Sequence, residues 1–355
     1  MKIGIIGLPG SGKSTLFRLL TGDNEPPDYR QGTKPILRSV KHKDERLERL
    51  RDDYAPKKYT PATLEILDFP GVAGDKKDRT GLADLLAPAR EAHALIATLC
   101  GFSGDLDGKL DDHPALSDLQ EVRGELILSD LSIVERRLEK LEAKSRRPNF
   151  DEDDRKEQAI LVRMKEHLER EELASSLELT ADELKRVGGF AFLSAKPLVT
   201  VLAWDSGKVP AELLARIKAD CGGEVVAVSA RNELDILELP EEERAVFLAE
   251  YEIDAPQKEK VIDAAYRAAG CMSFFTAGEP EVRAWTILQG TKAPQAAGAI
   301  HTDFERGFIR AEVVAFEDYV AQGGVKGARE KGLYRLEGRE YVMKDGDIVE
   351  FRFSV

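Results

Sequence analysis

Gly7-Leu8-Pro9-Gly10-Ser11-Gly12-Lys13-Ser14-Thr15 fits the pattern G-x-x-x-x-G-K-[ST], and it lies between a strand-like apolar run over residues 3–8 and a helical pattern over 13–21. No other feature limits the fold so tightly. Such a loop needs a strand to bring it in and a helix to follow it. Its glycines turn backbone N–H groups toward phosphate oxygens, and the helix N-terminus adds its dipole. Gly10, Ser11, Gly12, Lys13, Ser14 and Thr15 are therefore expected around a nucleotide's phosphates. Lys13 would reach the β- and γ-phosphates, and Ser14 Oγ would ligate Mg²⁺, a hard cation that takes oxygen donors.

Residues 63–68 form a second strand pattern ending in Asp68-Phe69-Pro70-Gly71, a D-x-x-G. In P-loop switch NTPases the Asp at such a strand end holds Mg²⁺ through a water, and the Gly N–H contacts the γ-phosphate. Asp68 and Gly71 thus join Lys13 as catalytic candidates, and Asp68 joins Ser14 as a metal ligand. Thr33, in the polar, turn-rich stretch 29–35, fits a switch I threonine completing the metal shell; the alternative is an ordinary loop threonine.

Further strand patterns at 94–100, 198–203 and 225–229, with helices at 13–21 and 82–93, predict an α/β fold around a mainly parallel sheet. Charged, Leu-rich sequence interrupts it over 117–187. Ile127, Leu131, Val134, Leu138 and Leu141 follow coiled-coil spacing, and Leu161, Met164 and Leu168 resume it after a break at 145–151. Pro148 cannot continue a helix, so the two arms should fold back as an antiparallel hairpin. Its basic end, with Arg146 and Arg147, reads either as a solvated tip or as a contact for RNA or a protein partner. From residue 273 onward short β-type runs at 282–288, 307–314, 334–336, 339–342 and 348–353, with a helix at 316–322, indicate a separate small domain. The expected division is 1–116 and 188–272 for the α/β domain, 117–187 for a helical insert and 273–355 for the last domain.

Composition narrows the function classes. A length of 355 residues suits two or three domains, and a net charge of −13 argues against wholesale adsorption to nucleic acid, so RNA contact would be local and no DNA partner is expected. Cys100, Cys221 and Cys271 are odd in number and far apart, which gives neither a disulfide framework nor a metal knuckle. The five histidines have no metal-ligand spacing. The apolar runs are strand-sized, so no membrane span is expected. Met1 runs directly into a strand pattern without room for a signal peptide, and a cytoplasmic location is expected.

Phe274-Phe275-Thr276-Ala277-Gly278, Glu281-Val282-Arg283-Ala284-Trp285-Thr286 and the stretch 301–312 (HTDFERGFIRAE) carry a family likeness, continued by Arg335-Leu336-Glu337-Gly338 and Lys344-Asp345-Gly346-Asp347. With them the chain resembles, along essentially its whole length, the YchF subfamily of Obg-like P-loop NTPases. The resemblance implies a G domain, an inserted antiparallel α-helical coiled coil and a C-terminal ubiquitin-like β-grasp (TGS) domain. It also implies binding and slow hydrolysis of nucleotide, commonly ATP over GTP, and association with the ribosome through the hairpin and TGS domain. Gly12 to Thr15, Asp68, Gly71 and Thr33 match the family's phosphate and switch positions. Ser229 and Ala230 match its base-flanking loop, and Ala195-Lys196-Pro197 also matches.

Three departures bear on mechanism. Gly10-Ser11 stands where the family has Asn-Val; that asparagine can ligate an activating monovalent cation, so no potassium activation is expected. Ala203-Trp204-Asp205-Ser206 replaces a base-recognition motif with Asn first and Glu fourth. Base hydrogen bonding then comes from Asp205, comes from main chain or is weak, with Trp204 either stacking on the base or packing in the core, and ATP versus GTP stays open. Val72 follows Gly71 where Ras-like enzymes place a water-positioning glutamine. Catalysis would rest on Mg²⁺, Lys13 and main-chain N–H groups, with slow turnover and Lys76, Lys77 or Arg79 as candidate cis cations. Two other readings stand beside this one: a nucleotide-binding regulatory module with little or no hydrolysis, and a small-molecule kinase. The D-x-x-G strand and the C-terminal segments argue against the kinase.

Overall fold

A computed structural model describes residues 1–23, 35–69, 86–102, 113–205, 207–251, 253 and 256–354. It begins with β1 (Lys2–Gly7) and α1 (Lys13–Thr21), followed by β2 (Ile36–Lys41), α2 (Glu45–Tyr54), β3 (Tyr59–Thr60), β4 (Thr63–Asp68) and β5 (Ala94–Cys100). The helical arms α3 (Pro114–Ser145) and α4 (Glu152–Glu169) come next, then α5 (Ala181–Val187). β6 (Leu198–Ala203), α6 (Ala211–Cys221), β7 (Val225–Val228), α7 (Ala230–Leu237), α8 (Glu241–Glu250) and α9 (Lys258–Ala268) follow. The remainder is β8 (Cys271–Ala277), β9 (Val282–Leu288), α10 (Ala293–Ile300), α11 (Thr302–Arg306), β10 (Phe308–Ala315), α12 (Phe316–Ala321), α13 (Val325–Glu330), β11 (Arg335–Glu337) and β12 (Asp347–Phe353). The chain divides into two units: Met1–Arg38 with Glu65–Ala265, and Ser39–Leu64 with Tyr266–Val355.

The first unit is built on a sheet of order β2-β4-β1-β5-β6-β7, whose pairs from β4 to β7 are all parallel. β5 shows why: Ala94, Leu95, Ile96, Ala97 and Leu99 are fully buried, the continuous apolar run of a strand covered on both faces. Parallel strands all end at one edge, which is where open α/β sheets bind ligands.

The hairpin departs from this sheet as a pair of antiparallel arms. Arg137 reaches Glu157, Lys165 reaches Glu135 and Lys144 reaches Asp154, so residues further along α3 meet residues earlier in α4. Val134, Leu141, Leu161, Met164 and Leu168 fill the seam. A capping box between Asp151 and Asp154 restarts the helix after the Pro148 break.

The second unit has sheet order β11-β10-β12-β8-β9-β3. β8 and β9 are antiparallel, as are β10 and β12, while β12 runs parallel to β8 at the centre, the β-grasp arrangement. Phe274, Ala297, Val313 and Phe351 form one face of its core. Residues 39–64 belong to this unit although they fall within the stretch 1–116 read from sequence as the start of the G domain. The reason is packing: Leu47 and Leu50 of α2 are fully buried with Phe275, Val282 and Tyr319, and β3 adds a parallel strand to β9. Arg46 fastens the segment by bonding both Asp44 and Asp345.

Two expectations need correction. Of the helix expected over 82–93, the described part is a 3₁₀ helix, Ala87–Glu91; Pro88 sits in its first turn and Ala92 is already extended. The strand expected over 339–342 is only a single bridge between Val342 and Lys292.

Candidate nucleotide site

The phosphate loop leaves β1 with Gly7 at φ 150°, Gly10 at 82° and Gly12 at 91°. A side chain at Gly7 would place its Cβ 2.5 Å from Thr98 O and 2.7 Å from Ser11 Oγ, and one at Gly12 would come within 3.2 Å of Ala203 Cβ. The first is a clash and the second is tight, so the loop closes onto β5 and β6 only with glycine at both positions. Ser11 N–H donates to Leu8 O, and α1 starts with Leu16 N–H on Gly12 O.

Lys13 Nζ donates to Gly7 O at 2.8 Å and Leu8 O at 2.7 Å. An ammonium has three donors, so one remains for a phosphate oxygen. Burial pushes its pKa down, and the carboxylates of Asp68 and Asp118 push back. Asp68 is fully buried at the end of β4, opposite Ile5 of β1. The loop and Asp68 are therefore held at adjacent strand ends. Ser14 is exposed at the start of α1.

At the same edge, Trp204 follows β6 and Ser229 follows β7. Trp204 N–H donates to Val228 O at 2.9 Å, and Asn232 Nδ2 donates to Asp205 O at 2.6 Å, so the Trp204-Asp205 and Ser229-Ala230 segments are stitched together. The Trp204 ring stacks on His113, with centroids 6.4 Å apart and planes at 21°. Its Nε1 is buried with no hydrogen-bond partner among the described residues, as are Ser11 Oγ and Thr98 Oγ1. Thr33, Gly71, Val72, Lys76, Lys77, Arg79 and Ser206 lie outside the described residues.

Sequence reasoning missed Asp118, His113 and Asn232. Asp118 Oδ2 accepts the Cys100 N–H at 2.8 Å, which ties the second turn of α3 to the end of β5; burial raises its pKa. His113 caps α3 by accepting the Ala115 N–H at 3.2 Å. The one available signal is Pro114, a residue favoured at the first position of a helix, which marks His113 as the cap.

A glycine-built phosphate loop between strand and helix, an acidic strand end beside its lysine and a mainly parallel sheet define a P-loop NTPase with a G-domain fold. Residues 2–128 match the family model described as "50S ribosome-binding GTPase", and 271–354 match the YchF-GTPase C-terminal model, described as a protein of unknown function (DUF933). The chain is 40% identical over 366 residues to "Ribosome-binding ATPase YchF" of Bacillus subtilis (strain 168), covering 99% of each. It is 34% identical to "Obg-like ATPase 1" of Caenorhabditis elegans, covering 100% of this chain and 92% of that one. The structure resembles that of the Schizosaccharomyces pombe YchF GTPase with TM-score 0.81 and 28% identity, covering 99% of this chain and 97% of that one. The chain belongs to the YchF family.

Proposed function

We propose that this protein binds and slowly hydrolyses ATP, or GTP, with Mg²⁺, and that it associates with the ribosome. The observation that carries the nucleotide reading is the Lys13 ammonium, seated on two phosphate-loop carbonyls with one donor to spare. The names of the relatives, a ribosome-binding ATPase among them, support the rest. Gly10 to Thr15 would cradle the phosphates, and Trp204, Asp205, Ser229 and Ala230 would flank the base.

The Ser14 hydroxyl and the Asp68 carboxylate are oxygen donors near the loop, the set that suits Mg²⁺, with Thr33 as the further ligand. An ion held there would supply positive charge to the nucleotide's phosphates. Lys13 and the loop N–H groups would stabilise charge on the transferring phosphoryl, and the D-x-x-G pattern assigns the Gly71 N–H to the γ-phosphate. The α/β unit, the helical hairpin inserted in it and the C-terminal unit, which includes residues 39–64, would then act as nucleotide switch, helical arm and ribosome-facing module.

Labelled ATP and GTP analogues titrated with and without Mg²⁺ test the reading. Micromolar, Mg²⁺-dependent binding is expected, with single-turnover hydrolysis that Lys13→Ala abolishes. Binding without hydrolysis would leave the regulatory-module reading. Ribosome co-sedimentation unchanged in Arg146→Ala/Arg147→Ala would remove the hairpin tip from that interface. Exchanging sodium for potassium should leave the rate unchanged, since Gly10 offers no side-chain ligand.

A further inference from the structure

A cavity of about 280 Å³ lies in the first unit where the hairpin rejoins the sheet. His93 and Pro197, which line it, immediately precede β5 and β6. It therefore sits at the strand edge opposite the phosphate loop. Its wall is apolar, formed by Met164, Leu179, Val187, Phe192 and Pro197, and Leu184, 55% exposed, leaves an apolar rim open to solvent.

One cation and no carboxylate are among its described lining residues, and the cation is Lys196 of the Ala195-Lys196-Pro197 run. Lys196 Nζ donates to Ala92 O at 2.5 Å, which uses one of three donors. The carboxylate in its field, Asp130, has its oxygens engaged elsewhere. Asp130 Oδ1 accepts from Arg90 Nη1 at 2.7 Å and Leu193 N at 2.9 Å, and Oδ2 accepts from Ser194 N and Oγ, each at 2.7 Å. Burial and the nearby Arg90 both disfavour the charged amine. Among the described residues, this half-buried ammonium beside an apolar chamber forms no ion pair, and Asp130, the carboxylate in its field, is taken up by other donors.

We propose that this cavity is a binding site for a small aliphatic carboxylate, its chain against Leu179, Leu184 and Pro197 and its carboxylate on Lys196 Nζ. The volume is just under the range usual for ligand pockets, roughly 300–1,000 Å³, which suits a chain of about six to eight carbons. The charge selects an acid over an alcohol or an amine.

Titration calorimetry on the full-length protein with octanoate, octanol and octylamine tests this, each with and without saturating ADP. Octanoate should bind with a Kd on the order of 0.1 mM, about ten-fold tighter than octanol, with octylamine undetected and ADP without effect. Lys196→Met keeps the aliphatic stem and should erase the preference for octanoate, while Leu184→Gln should weaken octanoate and octanol alike. Three results would overturn the proposal: equal affinity of the unmodified protein for octanoate and octanol, displacement of octanoate by ADP, or no octanoate binding at all, as for a packing gap. These comparisons use the unmodified protein, so a misfolded Lys196→Met cannot blur them.

Discussion

The two units treat buried polar groups in opposite ways. In the first, Ser11 Oγ, Thr98 Oγ1, Thr200 Oγ1, Trp204 Nε1 and Glu233 Oε1 are buried without hydrogen-bond partners among the described residues. In the second, the conspicuous buried polar groups are saturated. Glu312 takes bonds from Arg352, Arg310 and Tyr334; Asp347 takes them from Tyr341 and Lys344 N–H; Tyr266 OH bonds Met272 O, Ser273 and Thr286. Buried polar atoms are normally satisfied, so a cluster of exceptions calls for a cause. Ser11, Thr98 and Trp204 gather at the phosphate-loop edge, where a ligand would supply what the protein does not. The saturated unit is a preformed frame.

The sharpest way to break this comparison is Lys13→Ala. It should weaken binding of an ATP analogue about a hundred-fold by calorimetry while leaving the circular-dichroism melting curve in place. Undiminished binding would detach the nucleotide from this edge.

Glu312→Ala should cost the second unit about 1 kcal/mol, read as faster hydrogen exchange in β10, because it removes charge-assisted hydrogen bonds from Arg352 and Arg310, both about half exposed, and the bond from Tyr334. Arg352 and Tyr334 hold the Glu312 carboxyl down at about 2. Its stabilising share is therefore present above the unfolded carboxylate value of about 4.3 and lost as pH falls toward 2.

Glu233 is the counterpart in the first unit. Burial pushes it up to about 7, against the N–H groups of Gln257 and Lys258 that its Oε2 accepts at 2.9 and 3.3 Å. The folded state prefers the protonated acid, so this contribution is full below about pH 4.3 and fades as pH rises through about 7. Glu233→Gln should remove a slope on the order of 2–3 kcal/mol over that window, measured by denaturant unfolding at several pH values. An unchanged slope would mean that Glu233 is solvated and is no exception to saturation.

The smallest effect uses the two tryptophans, one in each unit. Trp285 is already bonded, with Nε1 on Thr276 Oγ1 at 3.0 Å and Arg283 stacked at 3.7 Å from its ring, whereas Trp204 is not. Nucleotide should change the fluorescence of Trp285→Phe by a few tens of per cent and leave Trp204→Phe nearly silent. The reverse would move the base away from Trp204.

Readability followed locality. Strands 63–68, 94–100 and 198–203 were readable to the residue because short β-type runs rich in buried aliphatic residues are bounded by polar or turn residues. The hairpin was readable because its seam repeats every few residues and a proline marks its turn. α2 was not: Leu47 and Leu50 show that the helix needs an apolar partner but not that the partner lies more than two hundred residues away. At the site, Gly7 to Thr15 and Asp68 carry a pattern, whereas Asp118 is one acid in a charged helix until the fold places it on the Cys100 N–H.

By itself, then, the sequence determined the phosphate loop, the alternation of strand and helix, and the hairpin, since each rests on backbone conformation and periodicity within a few turns of chain. Only the tertiary structure decided that residues 39–64 serve the C-terminal sheet, that α3 begins against β5 and that Lys196 faces an apolar cavity without a free carboxylate. Each depends on side chains brought together from distant positions, and such encounters leave no local pattern.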